Sequence, residues 1–176
     1  RQDLASRREV KFLLPGADVG KLRGLLECNG RRLVHNEPVS TVRSIYFDDV
    51  RLSDCQDNLA GISCRKKVRL RWYDSLAPGK PLFYEIKWRA NRVVGKHRLE
   101  FQPGQPLAGL TYRRIVNQLV DILPPRHAAD LLNRGEPIVI VEYNREHFAS
   151  DDGLRIPLDY DLTYYDQVAR HSVSTT

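Results

Sequence analysis

Charged and apolar residues alternate along several short segments of the chain. Between residues 65 and 73, Lys and Arg occupy every second position, and Val68, Leu70 and Trp72 lie among the residues between them. A similar period of two occurs in residues 8–14, 83–89, 94–101 and 154–159. Because successive side chains of a strand point to opposite faces, this pattern predicts strands that have one apolar and one charged face.

Two other segments show the spacing of an amphipathic helix. Residues 15–29 carry a valine and three leucines at helical spacing, and Gly30 follows as a stop signal. A second helix is predicted from about Thr111, with a break at Pro124 and Pro125 and a continuation through residues 128–132. Combined with the strands, these helices predict an α+β fold with a mostly antiparallel sheet.

The length and composition are those of one soluble globular domain. The chain has 176 residues, of which 41% are hydrophobic and 28% are charged, and its mean hydropathy is -0.46. These values exclude a collagen, a disordered tail and a multi-span membrane protein. The formal charge of +6 indicates an anionic partner, which could be a nucleic acid, an acidic lipid or a phosphate compound.

The cysteines bear on the compartment of the protein. Three cysteines, an odd number with no CxxC pair, argue against a disulfide framework and favour a reducing, cytoplasmic location. The chain has no methionine and begins with Arg1, so we expect it to be part of a longer product.

The predicted charged faces contain many more bases than acids. The bases are Lys11, Lys67, Arg69, Arg71, Lys87, Lys96, Arg98, Arg145 and Arg155, and the acids are Glu9, Glu85, Glu100 and Asp159. An ordinary sheet with one solvated face is the simpler interpretation, but such faces usually mix signs because like charges opposite each other are unfavourable. If the helices cover the outside of a curled sheet, the bases face inward and need a bound polyanion.

Known catalytic and metal-binding motifs do not account for these bases. Residues 16–21 have one residue too few between their glycines for a phosphate-binding loop, and Leu22 replaces the Ser or Thr that would hold magnesium. The histidines and cysteines show no zinc spacing. Residues 65–73 could form a nucleic-acid strip because they mix bases with aromatic rings, although their strict alternation favours a strand that lines a groove.

Six motifs in series resemble the VTC domain, the polyphosphate polymerase branch of the triphosphate tunnel metalloenzymes. They cover nearly the whole chain and read EVKF from Glu9, SIYFD from Ser44, VRLRWY from Val68, FYEIK from Phe83, YNREHF from Tyr143 and LRIPLD from Leu154. The resemblance implies a closed antiparallel β-barrel with flanking helices. Its tunnel would be lined by Lys and Arg and would bind triphosphate or polyphosphate.

The resemblance also implies the roles of individual residues. Arg69 and Arg71 match the paired arginines of the family and Lys87 matches its second ExK lysine, so we expect these three to act in catalysis. The remaining expected phosphate-binding residues are Lys11, Lys67, Lys96, Arg98, Arg145 and Arg155. Glu9 is the candidate ligand of a divalent metal such as Mn²⁺ or Mg²⁺, although a salt bridge with a neighbouring base is an equal alternative.

The implied reaction transfers the terminal phosphate of ATP to a growing polyphosphate chain. The alternatives left open are a triphosphatase of the same tunnel family and a non-catalytic module that binds polyphosphate, a nucleotide or inositol phosphates. The implied partners are ATP, polyphosphate or another triphosphate, and no nucleic acid is expected.

The C-terminal end departs from the family pattern. We expect residues 1–176 to form a single tunnel domain. Family members end with a further strand that bears an ExK motif, and we expect that strand to lie beyond Thr176.

Overall fold

The computed structural model describes residues 9–34, 37–73, 81–102, 107 and 110–175, and it consists of one sheet with helices packed against it. The seven strands are β1 (Arg31–Leu33), β2 (Ser40–Asp48), β3 (Cys64–Tyr73), β4 (Leu82–Ala90), β5 (Val93–Phe101), β6 (Glu136–Ala149) and β7 (Arg155–Asp166). The four helices are α1 (Val19–Cys28), α2 (Ser53–Leu59), α3 (Tyr112–Ile122) and α4 (Pro125–Leu132). The predicted α+β class is confirmed.

Every pairing between neighbouring strands is antiparallel, and the sheet curls into a half barrel. The long strand β6 organises one side of the sheet. It pairs with β1 and β2, which lie end to end along one edge, and with β7 along the other. From β2 the sheet continues through β3 and β4 to β5. Within the described residues, β5 and β7 do not pair with each other, so the sheet is not closed.

The hydrophobic core lies between the sheet and the helices α3 and α4. Val68, Leu70 and Trp72, which alternation assigned to the apolar side of β3, are fully or almost fully buried there. Ile115 and Leu119 of α3 pack into the same core, as Leu131 of α4 does. These helices therefore cover the apolar side of the sheet, as the amphipathic patterns predicted.

Helix α1 is held to the sheet by an ion-pair cluster around a buried carboxylate. Glu146 on β6 has no exposed surface, and it accepts hydrogen bonds from Arg23 of α1 at 2.9, 3.1 and 2.6 Å. Arg32 of β1 forms a second ion pair with the same carboxylate. Glu146 alternates with Tyr143 and Arg145 across the pleat, so α1 contacts the side of the sheet that faces away from those two residues.

The structure corrects several boundaries predicted from the sequence. The first predicted helix begins at Val19 rather than at residue 15, because Asp18 caps it by accepting a hydrogen bond from the Lys21 amide at 3.2 Å. Helix α4 begins at Pro125, three residues before the predicted continuation, since proline is tolerated in the first turn of a helix. Helix α2 was not predicted.

The predicted strand over residues 8–14 is wrong for the part that the structure describes, residues 9–14. These residues belong to no strand, and the apolar side chains of Val10 and Phe12 are 74% and 83% exposed. A segment with alternating residues forms a strand only where a neighbouring backbone supplies its hydrogen-bond partners. Residues 9–14 pair with no strand of the described sheet.

Two further findings concern the expected location. No helix within the described ranges combines the length and the apolar character needed to cross a membrane. Cys28, Cys55 and Cys64 are free thiols at exposed positions, in agreement with the absence of a disulfide framework. The cytoplasmic location stays a prediction.

Candidate functional site

The charged residues of the strands lie together on one face of the sheet. Strand register places Lys67 opposite Lys87 and Lys87 opposite Lys96, and it places Arg69 opposite Glu85 and Glu85 opposite Arg98. We call this surface the charged face. It is the side turned away from the core and from α1, α3 and α4, and it carries Lys67, Arg69, Arg71, Lys87, Lys96, Arg98, Arg145 and Arg155.

A buried glutamate organises the middle of the charged face. Glu85 has no exposed surface, and its Oε2 atom accepts hydrogen bonds from Nε and Nη2 of Arg69 at 2.8 and 2.6 Å. Its Oε1 atom contacts the Lys96 ammonium and lies 3.7 Å from Nε of Arg98. Burial alone would raise the pKa of Glu85, but Lys96 and Arg69 together lower it to about 2. Glu85 therefore stays ionised and fixes the bases around it.

Three lysines form a row across β3, β4 and β5. Lys67, Lys87 and Lys96 are directly opposite one another, an arrangement in which like charges repel. Desolvation and the nearby charges of Arg69, Lys96 and Arg71 lower the pKa of Lys87 to about 8. Lys96 contacts Glu85, whereas neither Lys67 nor Lys87 forms an ion pair within the described part of the chain. The row therefore carries charge that the protein itself does not neutralise.

Arg71 is a buried cation whose hydrogen-bond partners are neutral. Only 7% of the residue is exposed, Nε donates to the Ser44 hydroxyl at 2.9 Å, and Nη2 donates to the Tyr143 hydroxyl at 3.3 Å. No carboxylate of the described residues forms an ion pair with it. Because a buried charge is costly unless an opposite charge compensates it, this guanidinium favours the binding of an anion.

The remaining predicted bases on the charged face differ in how completely an acidic residue compensates their positive charge. Arg145 donates two hydrogen bonds to Asp159, both at 2.6 Å, so its charge is largely compensated. The guanidinium of Arg98 lies 3.7 Å from the centre of the Phe83 ring. Arg155 is exposed at the start of β7. Alternation identified the face on which these residues lie, but it did not indicate which of them have acidic partners.

The structure does not bring Glu9 and Lys11 to the charged face. Both lie in residues 9–14 outside the sheet, and they pair with each other at 3.7 Å with side chains that are 70% and 83% exposed. The described residues contain no group of three His, Cys, Asp or Glu side chains arranged to hold a metal ion. Glu85 is engaged by three bases. Within its described ranges, the chain therefore shows no preformed set of three side-chain ligands for a divalent metal.

Three uncharged residues of the site were not among the functional residues predicted from the sequence. Ser44 and Tyr143 hold Arg71, and the Tyr46 hydroxyl accepts a hydrogen bond from Nη1 of Arg69 at 2.9 Å. Ser44 and Tyr46 occupy alternate positions of β2, so the same period of two would have placed them on one face. The SIYFD motif contains Ser44 and Tyr46, but the resemblance implied no binding role for either residue.

Three comparisons with known proteins bear on the family of the chain. No curated protein matches the chain in sequence. A solved structure from Hippeastrum, described as a candidate adenylyl cyclase with a dominant triphosphatase activity, aligns at 18% identity with a TM-score of 0.49. That alignment covers 81% of this chain and 69% of the other. The family model of the VTC domain matches residues 6–175. The chain therefore belongs to the VTC domain family.

Proposed function

We propose that the charged face binds the phosphates of ATP and of polyphosphate, and that the domain transfers the terminal phosphate of ATP to a polyphosphate chain. One observation carries the proposal. Arg71, Lys67 and Lys87 present positive charge on a single face, and none of them forms an ion pair with an acidic residue of the described chain. A chain of phosphates carries the negative charge that these bases lack.

The proposed transfer breaks the bond between the terminal phosphorus of ATP and its bridging oxygen, and ADP leaves with the bond's electron pair. A terminal oxygen of the polyphosphate chain forms the new bond to phosphorus. In the transition state, negative charge is spread over the equatorial oxygens of the transferred group. Arg71 offers a planar guanidinium that can bind two of these oxygens, while Lys67 and Lys87 act as point charges along the chain.

Glu85 would contribute by positioning the bases rather than by touching the substrate. It fixes Arg69 and Lys96 on either side of β4 before any ligand arrives. Cations that are already in place need no reorganisation as charge develops, which is how a preorganised site lowers a barrier. We propose that Arg69, Lys96 and Arg98 bind phosphate oxygens from these fixed positions.

Divalent metal ions are generally used by the tunnel metalloenzymes, and Mn²⁺ or Mg²⁺ is the ion that we expect here. Because the described residues contain no group of three side chains arranged to hold a metal ion, and Glu9 is paired with Lys11, we assign no step to the ion and no ligand role to Glu9. The test of activity therefore includes each ion separately, together with a reaction that contains a chelator.

Incubation with ATP, with Mn²⁺ or Mg²⁺ and a short polyphosphate primer, tests the proposal directly. A polymerase produces ADP and lengthens the primer, whereas a triphosphatase releases inorganic phosphate without a longer polymer. Arg71→Ala should abolish most of the turnover. Arg113→Ala, which removes an exposed arginine of α3, should leave turnover unchanged. Tight binding of triphosphate with no product would show a binding module and refute catalysis.

A binding comparison separates phosphate chains from nucleic acids. We expect triphosphate to bind much more tightly than single-stranded DNA of equal charge. The Lys and Arg side chains of the charged face are closely spaced, and closely spaced positive charges favour closely spaced phosphates. Equal or tighter binding of DNA, with a steep dependence on salt, would contradict the proposal.

A further inference from the structure

An aromatic patch, formed by Tyr73 and Phe83, interrupts the charged face where β3 ends and β4 begins. Tyr73 follows Arg71 by two residues on β3, so its side chain points to the charged face. Phe83 precedes Glu85 by two residues on β4 and points the same way. The centroids of the two rings are 5.9 Å apart, and the rings meet edge to face. Both residues are half-buried, and both lie outside the hydrophobic core.

The surface beside the aromatic patch is apolar rather than charged. Val42 of β2 is directly opposite both Tyr73 and Tyr143, so the three side chains share the charged face. Val42 has no exposed surface, yet it does not belong to the core between the sheet and the helices. Apolar and aromatic walls beside a few polar groups are typical of small-molecule sites. This end of the charged face therefore differs in chemistry from the lysine row.

The two sides of the aromatic patch carry opposite charges. Phe83 is directly opposite Arg71 of β3 on one side and directly opposite Glu100 of β5 on the other. Arg71 attracts a phosphate, whereas the carboxylate of Glu100 repels one. The guanidinium of Arg98 lies over the Phe83 ring, and nucleobases stack both on aromatic rings and on guanidinium planes. The patch therefore fits a flat, uncharged aromatic group better than another phosphate.

We infer that the aromatic patch binds the base of a nucleoside triphosphate whose phosphates lie along the charged face. This assignment rests on the proposed function and adds the part of the donor that phosphate contacts cannot recognise. A nucleoside triphosphate carries its base at one end, so a base stacked at Phe83 directs the phosphates past Arg71 towards Lys67 and Lys87. These lysines lie four residues farther along their strands, about 13 Å at the rise of a strand. The acceptor chain must then approach from the side of the lysine row.

Calorimetric titration of the whole chain tests this site without measuring turnover. The two probes are ATP and ribose 5-triphosphate, which carries the same phosphates but no base, and each is titrated with Mg²⁺ and with a chelator. We expect ATP to bind the parent about tenfold more tightly, because a base stacks on an aromatic side chain.

Substitutions in the aromatic patch should remove this preference for ATP. Tyr73→Leu and Phe83→Leu keep an apolar side chain but no ring, so each should weaken ATP about five- to tenfold and leave ribose 5-triphosphate unchanged. Tyr73→Phe keeps the ring and should bind ATP as the parent does. Phe12→Leu is the matched control, because it removes a ring that is 83% exposed and lies outside the sheet.

The comparison of the two probes in the parent needs no variant, so a variant that fails to fold does not prevent the test. Equal binding of ATP and ribose 5-triphosphate by the parent would overturn the inference. It would also be overturned if the leucine variants weaken both probes equally, or if Tyr73→Phe binds ATP as weakly as Tyr73→Leu. A lack of phosphate transfer in the separate ATP assay, with the preference for ATP intact, would contradict the proposed function alone.

Discussion

Arg69 and Arg71 lie two residues apart on one strand, but their replacement by alanine should have different effects. Arg69→Ala should mainly lower the stability of the domain, and Arg71→Ala should mainly lower its affinity for triphosphate. Arg69→Ala removes two hydrogen bonds from the buried carboxylate of Glu85. Breaking a buried ion pair typically costs about 3–5 kcal/mol, and the contacts of Glu85 with Lys96 and Arg98 should reduce this to about 2–3 kcal/mol. For a domain of this size, such a loss lowers the melting temperature by about 5–10 °C.

Arg71→Ala should change the stability of the ligand-free domain by less than about 1 kcal/mol. It removes hydrogen bonds to two hydroxyl groups, but it also removes a buried cation that has no acidic partner. Its main effect should be on binding, because a charge-assisted hydrogen bond to a phosphate is worth about 1.5–3 kcal/mol. We therefore expect Arg71→Ala to weaken triphosphate binding about 10- to 100-fold.

Urea denaturation gives the free energies of unfolding of both variants, and calorimetry gives their affinities for triphosphate. Glu85→Gln is the control for the ion pair, since it leaves the bases around position 85 without their carboxylate and should destabilise at least as much as Arg69→Ala. If Arg71→Ala unfolds more easily than Arg69→Ala, then Arg71 stabilises the fold and is not held ready for an anion. Normal binding by Arg71→Ala would refute the reasoning as well.

Four further results should follow from the structure. Triphosphate affinity should fall as the pH rises through about 8, because Lys87 loses its charge there. Lys87→Arg should remove this fall in affinity when binding titrations are compared between about pH 6.5 and 9.5. Glu146→Gln should lower the free energy of unfolding by about 3 kcal/mol in urea, because it leaves two arginines facing a neutral amide; an effect below about 1 kcal/mol would contradict this. Gly95→Ala should destabilise by about 1–3 kcal/mol, since its Cβ would lie 2.2 Å from the Trp88 ring. Gly24→Ala meets open space within α1 and should stabilise by about 0.5–1 kcal/mol in the same assay.

Much of the fold could be predicted from the sequence, because its main signals are local. The alternation around Val68 and Leu70 identified a strand and the side of it that is buried, and the spacing after Thr111 identified α3. The same rule failed over residues 9–14, although charged and apolar residues alternate there from Glu9 to Phe12. There the missing element is a partner strand, which no local pattern can supply.

The sequence by itself determined which residues share a face, because side-chain direction follows directly from the period of the backbone. It therefore collected Arg69, Arg71 and Arg145 into one group of basic residues. Only the tertiary structure decided that these three arginines differ electrostatically. Glu85 neutralises the first, Asp159 neutralises the third, and Arg71 is left among hydroxyl groups. The reason is that an ion pair depends on the register between strands and on burial, and both arise from pairings between segments distant in the chain.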